Sequence, residues 1–144
     1  MDLILWRHAD AREAREGESD ADRPLTPKGE RQAKRMAQWL NHHLPDTTKV
    51  LVSPTRRTEE TAKALDRKYK LSAQLAPDQT VDALLGTVRW PDAKEPVLVV
   101  GHQFTLGLTA AYLLAGATQP WVVRKGGIWW LRLRVPSGNI PSAP

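Results

Sequence analysis

Residues 3–8 read Leu-Ile-Leu-Trp-Arg-His, and this short stretch indicates both the fold class and the position of a candidate site. A run of apolar residues that ends at a charged pair is typical of a strand buried on both faces of a parallel sheet. The pattern returns twice: residues 50–52 run into Ser53, and residues 97–100 run into the Gly-His pair at 101–102. Three strands of this kind predict a sheet whose ends carry polar side chains.

Helical patterns separate these strands, because apolar residues recur there at spacings of three and four. The predicted helices lie at residues 29–44, 55–70, 81–90 and 105–114. Two further strands are predicted, at residues 73–76 and 128–135. The alternation of strands and helices predicts an α/β fold, a three-layer α/β/α sandwich with a mostly parallel central sheet.

The length and composition indicate one globular domain. The chain has 144 residues, of which 41% are hydrophobic and 26% charged. We expect the domain to span residues 1–135 and a flexible tail, rich in Pro and Ser, to follow at 136–144. The absence of cysteine excludes disulfides and thiolate chemistry. The apolar start is too short for a signal peptide, and no segment approaches the roughly 20 apolar residues of a membrane span, so we expect a cytoplasmic protein with no membrane partner.

The polar residues at the strand ends predict phosphoryl chemistry. Ligands of open parallel sheets bind beyond the carboxyl ends of the strands, where Arg7, His8, Arg57 and His102 would converge. Arginine forks match phosphate oxygens, and a histidine among arginines loses its proton more readily. A neutral imidazole can attack phosphorus and form a phosphohistidine intermediate. The sequence therefore predicts a phosphatase that needs neither a metal ion nor a cofactor.

Four segments resemble, in order, the motifs of the histidine phosphatase superfamily, whose fold is phosphoglycerate mutase-like. They are Arg7-His8-Ala9, Arg23-Pro24-Leu25-Thr26 with Gly29, the segment from Ser53 to Ala62, and Val99-Val100-Gly101-His102. The resemblance implies that His8 is the nucleophile and that Arg7, Arg57 and His102 form the phosphate pocket. Arg23 either lines the rim of that pocket or pairs with Asp22.

Within the superfamily, the short chain and its Arg-His-Ala-Asp-Ala opening are similar to the small bacterial SixA-type phosphohistidine phosphatases. Many members of the superfamily have Gly at the position of Ala9. Many also place a glutamate, the general acid, after the third strand. The nearest match here is Asp78, with Asp82 as a competitor, so the identity of the acid stays open.

The substrate is expected to be a phosphorylated protein, with phosphohistidine as the phosphorylated group. Residues 62–96 leave no room for a large lid, and residues 10–22 form a short charged loop, so the pocket should be open to a projecting side chain. A small phosphomonoester is the alternative substrate. The net charge of +5 also suits a polyanion-binding module, but no nucleic-acid motif is visible. We expect Trp6, Trp39 and Trp129 to belong to the core rather than to a base-stacking surface.

Overall fold

The computed structural model describes residues 1–133, in which five strands alternate with four α-helices. The strands are β1 (Asp2–Arg7), β2 (Lys49–Val52), β3 (Lys70–Leu71), β4 (Val97–Gly101) and β5 (Ile128–Arg132). The helices are α1 (Pro27–His43), α2 (Arg56–Lys63), α3 (Val81–Thr87) and α4 (Gln103–Ala115). The sheet order is β3-β2-β4-β1-β5, and β5 is antiparallel to β1 while the other pairs are parallel.

The alternating side chains of β1 divide the core into two halves. Leu3 and Leu5 pack in the half that also contains residues of α3 and α4. Ile4 and Trp6 pack in the other half, with residues of α1 and α2. All four side chains are fully buried. Because helices cover both faces of the sheet, a site has to lie at one of its ends, and the predicted α/β/α sandwich is confirmed.

The beginning of α1 holds the chain just beyond His8. The Thr26 hydroxyl caps the helix by accepting a hydrogen bond from Gly29 N at 3.0 Å, and Pro27 occupies the first helical position. The same hydroxyl donates to Oδ2 of Asp10 at 2.7 Å. Gly29 lies so close to the carbonyl oxygen of Asp10 that a Cβ would overlap it. A glycine is therefore required where the helix meets the end of β1.

The structure corrects the sequence prediction around α2 and β3. The predicted helix to residue 70 ends at Lys63 instead, and Asp66 turns the chain with a positive φ of 54°. Lys70–Leu71 then pairs with β2, so sheet pairing outweighs the helical pattern. The strand predicted at 73–76 is wrong, because residues 73–75 form a short 3-10 helix that buries Leu75 in the core.

The tryptophans divide between core and surface. Trp6 is fully buried, and its indole N–H donates to Gly126 O at 3.0 Å, while Trp129 is partly buried. Trp39 is 44% exposed, so its assignment to the core is wrong. Its position on α1 lies off the buried stripe of that helix, and its ring stacks on His43 with centroids 4.1 Å apart.

Two further predictions from the sequence concern membrane crossing and the C-terminal tail. Within residues 1–133, no helix combines the length and the apolar character that a membrane crossing requires. The tail predicted at 136–144 lies outside the described residues, so the predicted domain boundary at 135 stays a prediction.

Candidate active site

The carboxyl ends of three neighbouring strands bring the predicted site residues together. β1 runs into His8, β2 into Ser53 and β4 into His102. The ladder continues past the strand ends, since His8 N donates to Gly101 O and Ser53 N donates to Val100 O, both at 3.0 Å. The rings of His8 and His102 face the same space, with centroids 5.4 Å apart.

His8 is buried and has one ring nitrogen bound to the backbone. Its Nδ1 lies 2.8 Å from Ala9 O, and because a carbonyl oxygen only accepts, Nδ1 carries the proton and donates. Burial, assisted by the charges of Arg57 and Arg7, lowers the pKa of His8 to about 4, although the bond to Ala9 opposes this change. At neutral pH the ring is therefore uncharged, and Nε2 keeps its lone pair for an electrophile.

Thr61 fixes the backbone that follows His8. Its Oγ1 accepts a hydrogen bond from Ala9 N at 3.0 Å and donates to Arg57 O at 2.8 Å. One hydroxyl thereby ties the end of β1 to the first turn of α2. Ala9 itself is fully buried, so the structure accommodates an alanine side chain at this position. Thr61 acts as a positioning residue for both His8 and Arg57.

Arg57 is a buried cation at the start of α2. It is 3% exposed, and Thr55 caps the helix that carries it. Its Nε has no hydrogen-bond partner among the described residues. Burial lowers the pKa of Arg57, and the nearby carboxylate of Asp20 opposes this change. A buried N–H without an acceptor is unfavourable by about 1–3 kcal/mol, so this environment favours the binding of an anion.

Arg7, the last residue of β1, is held by the segment that precedes β5. Its Nη1 donates to Val123 O at 2.8 Å. Gln103 keeps that segment in place, because its Oε1 accepts from Val123 N at 2.6 Å. Arg7 Nε is buried and, like that of Arg57, has no hydrogen-bond partner within residues 1–133. Oxyanions are the ligands that guanidinium N–H groups of this kind bind.

His102 is held by Ser53, a residue that the sequence analysis did not select. Ser53 Oγ lies 2.8 Å from His102 Nε2, and Arg57 Nη2 lies 3.5 Å from Nδ1. Burial, followed by the charges of Arg57 and His8, lowers the pKa of His102 to about 3. Because a hydroxyl both donates and accepts, Ser53 supports either neutral tautomer of His102. Its position directly after β2 is the signal that could have identified it.

Asp20 is the second residue that the sequence analysis missed. It begins a short 3-10 helix, Asp20–Asp22, and its Oδ2 accepts from Arg57 Nη2 at 2.9 Å. Its Oδ1 accepts from Arg23 Nε, also at 2.9 Å. Arg23 therefore lies beside the pocket and pairs with Asp20, whereas Asp22 accepts from Ser19. No spacing rule selects Asp20, because residues 10–22 contain several carboxylates.

The two aspartates proposed as the general acid lie outside this cluster. Asp78 and Asp82 are exposed and line a groove of about 460 Å³ between the segment before α3 and the outer side of α4. Phe104 and Tyr112 line the same groove. In the part of the chain that the structure describes, neither aspartate is hydrogen-bonded to His8 or His102. The carboxylate that the structure brings to the arginines is Asp20.

The donor set in the pocket is cationic. Among residues 1–133, no three His, Asp or Glu side chains form a cluster that could hold a metal ion. The groups that converge are guanidinium N–H groups and two neutral imidazoles. The guanidinium groups bind oxyanions, and their charge repels a divalent cation.

A sequence model of the histidine phosphatase superfamily (branch 1) matches residues 3–79. The chain belongs to the histidine phosphatase superfamily. The matched region contains Arg7, His8 and Arg57 of this phosphatase and ends before His102, whose place in the pocket comes from the sheet geometry.

The relatives of this histidine phosphatase include the phosphohistidine phosphatase SixA of Escherichia coli. The two are 33% identical over 128 residues, which cover 83% of this chain and 78% of SixA. An uncharacterized protein of Picosynechococcus is 35% identical over 142 residues, covering 92% and 85% of the two chains. The solved structure of the protein histidine phosphatase SixA complexed with tungstate has a TM-score of 0.79 at 27% identity, covering 92% of this chain and 88% of that one. The phosphoglycerate mutase-like fold is thereby confirmed.

Proposed function

We propose that this phosphatase removes the phosphoryl group from phosphohistidine on a protein, through a phosphohistidine intermediate on His8 and without a metal ion. The observation that carries the proposal is the neutral His8, whose Nε2 has no hydrogen-bond partner among residues 1–133 and lies beside the buried Arg57 and the partly buried Arg7. The similarity to SixA, a phosphohistidine phosphatase, supports the substrate class. Membership of a phosphatase superfamily favours this activity over a polyanion-binding module.

The first chemical step transfers the phosphoryl group between two imidazoles. Nε2 of His8 attacks phosphorus, and the bond between phosphorus and the substrate's ring nitrogen breaks in line with the new bond. The substrate's ring leaves as neutral imidazole when its other nitrogen is already protonated. His8 keeps the proton on Nδ1, where Ala9 O accepts it. No proton has to be supplied from elsewhere in this step.

The second step releases phosphate. A water molecule attacks phosphorus, the bond to Nε2 breaks, and the products are dihydrogen phosphate and neutral His8. Charge accumulates on the phosphoryl oxygens in both steps, and in this proposal Arg7, Arg57 and His102 bind those oxygens; the unpaired Nε groups of the two arginines and the proximity of Arg57 to His102 support this role. Fixed donors aimed at developing charge commonly provide the largest single contribution to such catalysis.

The surroundings of His8 favour phosphohistidine over phosphoesters. An ester leaves as an alkoxide and needs a proton, whereas a protonated phosphohistidine leaves as a neutral ring. Within the described residues, no carboxylic acid is hydrogen-bonded to His8 or His102, and the carboxylate of Asp20 is held by arginines. Asp78 stays the proposed acid for ester substrates only, acting from the edge of the site.

The shape of the site supports a protein as the substrate. Most of the segment 62–96 is used to complete the core, since Leu75, Leu84 and Val88 are buried against the sheet. It therefore adds no large lid above His8. An open pocket gives a small ligand few contacts beyond its phosphate, but it admits a side chain that projects from a folded partner. The net charge of +5 favours encounter with an acidic partner surface.

Turnover of a substrate panel tests the proposal. We expect kcat/KM at moderate salt to be higher for a phosphohistidine protein than for any small phosphomonoester, with activity retained in a chelator and abolished by vanadate. If a nucleotide or sugar phosphate is turned over about 100-fold more efficiently, a difference of about 2.7 kcal/mol in transition-state binding, the enzyme is a small-molecule phosphomonoesterase instead.

A further inference from the structure

The carboxylate of Asp20 binds the same arginines that the phosphoryl group needs. Arg57 donates twice to this residue, from Nη1 to the backbone oxygen at 2.8 Å and from Nη2 to Oδ2 at 2.9 Å. Arg23 donates from Nε to Oδ1 at 2.9 Å. Both carboxylate oxygens of Asp20 are therefore bound by guanidinium groups, as two oxygens of a phosphoryl group would be.

The two partners differ in how firmly they are held. The Arg57 side chain is 4% exposed, whereas the Asp20 side chain is 63% exposed. An ion pair with one exposed partner is weak, because water competes for the carboxylate. The charges and hydrogen bonds of Arg57 and Arg23 outweigh the partial burial of Asp20 and hold its pKa below the usual value, so the carboxylate is charged at neutral pH. The exposed Asp20 carboxylate can therefore move away into solvent, whereas the Arg57 guanidinium stays buried.

The loop that carries Asp20 has other attachments, so the side chain can move without unfolding the segment. Arg12 and Glu18 form a bidentate salt bridge, with both N–O distances at 2.7 Å. Ala11 and Leu25 form a β-bridge at the base of the loop. None of these contacts involves Asp20, so rotation of its carboxylate does not require them to break.

We propose that Asp20 is an internal competitor of the phosphoryl group, which occupies Arg57 and Arg23 in the ligand-free enzyme and is displaced when a phosphoryl dianion enters. The inference rests on the proposed function for the identity of the incoming group. Asp20 lowers the apparent affinity for every anion, because the competent pocket is only a fraction of the population. The binding of every anion that needs these arginines is weakened by the same factor, so the competition at Asp20 sets the affinity of the pocket and the arginines set its selectivity.

The chain provides a matched control for the charge itself. Asp22 lies in the same 3-10 helix, and its Oδ2 accepts from Ser19 Oγ at 2.9 Å rather than from an arginine. Asp20→Asn and Asp22→Asn change the net charge equally and at nearly the same place. A difference between the two variants therefore reports on the contact of Asp20 with the arginines.

Calorimetric titration with inorganic phosphate tests the competition without turnover. We expect Asp20→Asn to bind phosphate about 3- to 10-fold more tightly than the wild type, the range for removing one partly exposed ion pair, and Asp22→Asn to bind as the wild type does. Asp20→Ala should behave like Asp20→Asn, and melting temperatures verify that each variant folds. Unchanged or weaker binding by both folded Asp20 variants would overturn the proposal, and so would equal tightening by Asp22→Asn.

Steady-state kinetics separates competition from a positioning role. If Asp20 competes, Asp20→Asn lowers KM by more than it changes kcat. If Asp20 instead orients Arg57, the variant loses kcat and binds phosphate more weakly, which contradicts the proposal. The proposed function can fail without the Asp20 proposal. If the enzyme binds phosphate as described but turns over no phosphohistidine protein, the competition at Asp20 stands and the proposed substrate is wrong.

Discussion

The two ends of the central sheet differ in whether their charged and polar side chains are buried or exposed. At the carboxyl ends of β1, β2 and β4, the side chains of His8, Arg57 and His102 are buried and directed into one pocket. At the amino ends of β2 and β4, a groove of about 940 Å³ is lined by charged residues, among them Lys49 and Glu95, which are exposed to solvent. The charged side chains of this groove are thus hydrated, unlike those of the pocket at the carboxyl ends.

The buried unpaired polar groups therefore coincide with the site residues predicted from the sequence, whereas the groove of about 940 Å³ contains none of them. Exposed lysines are hydrated and are held in no fixed arrangement, so they give little selectivity for one anion. The buried Nε groups of Arg7 and Arg57 have lost their water and have no acceptor among residues 1–133. We expect that an oxyanion which accepts from these groups offsets the cost of burying them and thereby stabilises the folded state.

The largest expected effect follows from removing His8, the proposed nucleophile at the carboxyl end of β1. His8→Ala should lose nearly all activity, because no other described imidazole has a free lone pair beside both arginines. Acid-labile phosphate should be detected on wild-type enzyme quenched during turnover. His42→Ala, a change on the exposed end of α1, serves as the control and should keep its activity. Retention of the label by folded His8→Ala would assign the intermediate to another residue.

Two adjacent arginines on α2 sharpen the comparison between buried and exposed charge. Arg57 is buried in the pocket, whereas the Arg56 side chain is 55% exposed and pairs with Glu60 at 3.0 Å within the helix. We expect Arg57→Ala to reduce kcat/KM by about 100- to 1,000-fold. Arg57→Lys should also be poor, because an ammonium cannot form the two-pronged contact.

The matched variant Arg56→Ala should stay within about twofold of the wild type in the same assay, since an exposed ion pair contributes little. Comparable losses in both alanine variants would show that the two cations share the role and that burial does not distinguish them. Normal turnover by Arg57→Ala would remove Arg57 from the phosphate pocket altogether.

The buried histidines make the stability of the fold depend on pH. The pKa values of His8 and His102 in the folded protein, about 4 and about 3, lie below the ordinary value of 6.5. Below pH 6.5 the unfolded chain therefore binds more protons, and stability is lost as the pH falls towards 4. Between pH 7 and 5 the free energy of unfolding should fall by on the order of 2 kcal/mol for each histidine.

Denaturant unfolding of wild type and His8→Gln at several pH values measures this dependence. The variant lacks one of the two groups, so its free energy of unfolding should change less over the same interval. Parallel curves for the two proteins would mean that His8 is protonated as readily in the folded state as in the unfolded chain.

The site residues that could be predicted from the sequence are those that follow a recognisable local pattern. A buried apolar run followed by a polar residue identified the ends of β1 and β4, and hence His8 and His102, because strand burial and strand direction are both visible in the sequence. The predicted length of α2 was wrong because the pairing of Lys70–Leu71 with β2 depends on long-range contacts, which a local pattern does not reveal. Asp20 was missed for the same reason, since its contact with Arg57 spans 37 positions of the chain.

The smallest expected effect concerns Asp78, the exposed carboxylate proposed to act from the edge of the site. Asp78 lies in the groove beside α4, and Asp92 lies in the groove at the amino ends of the strands, so the pair compares the two ends of the sheet. Asp78→Asn should slow hydrolysis of a phosphomonoester by about tenfold, less than the roughly 100-fold or more that is typical of a general acid, because water can replace an exposed group. It should have a smaller effect on a phosphohistidine protein, whose leaving imidazole needs no proton from the enzyme. Asp92→Asn should alter neither reaction. Equal rates of Asp78→Asn and wild type on both substrates would exclude Asp78, and an equal loss on both would show that it contributes something other than a proton.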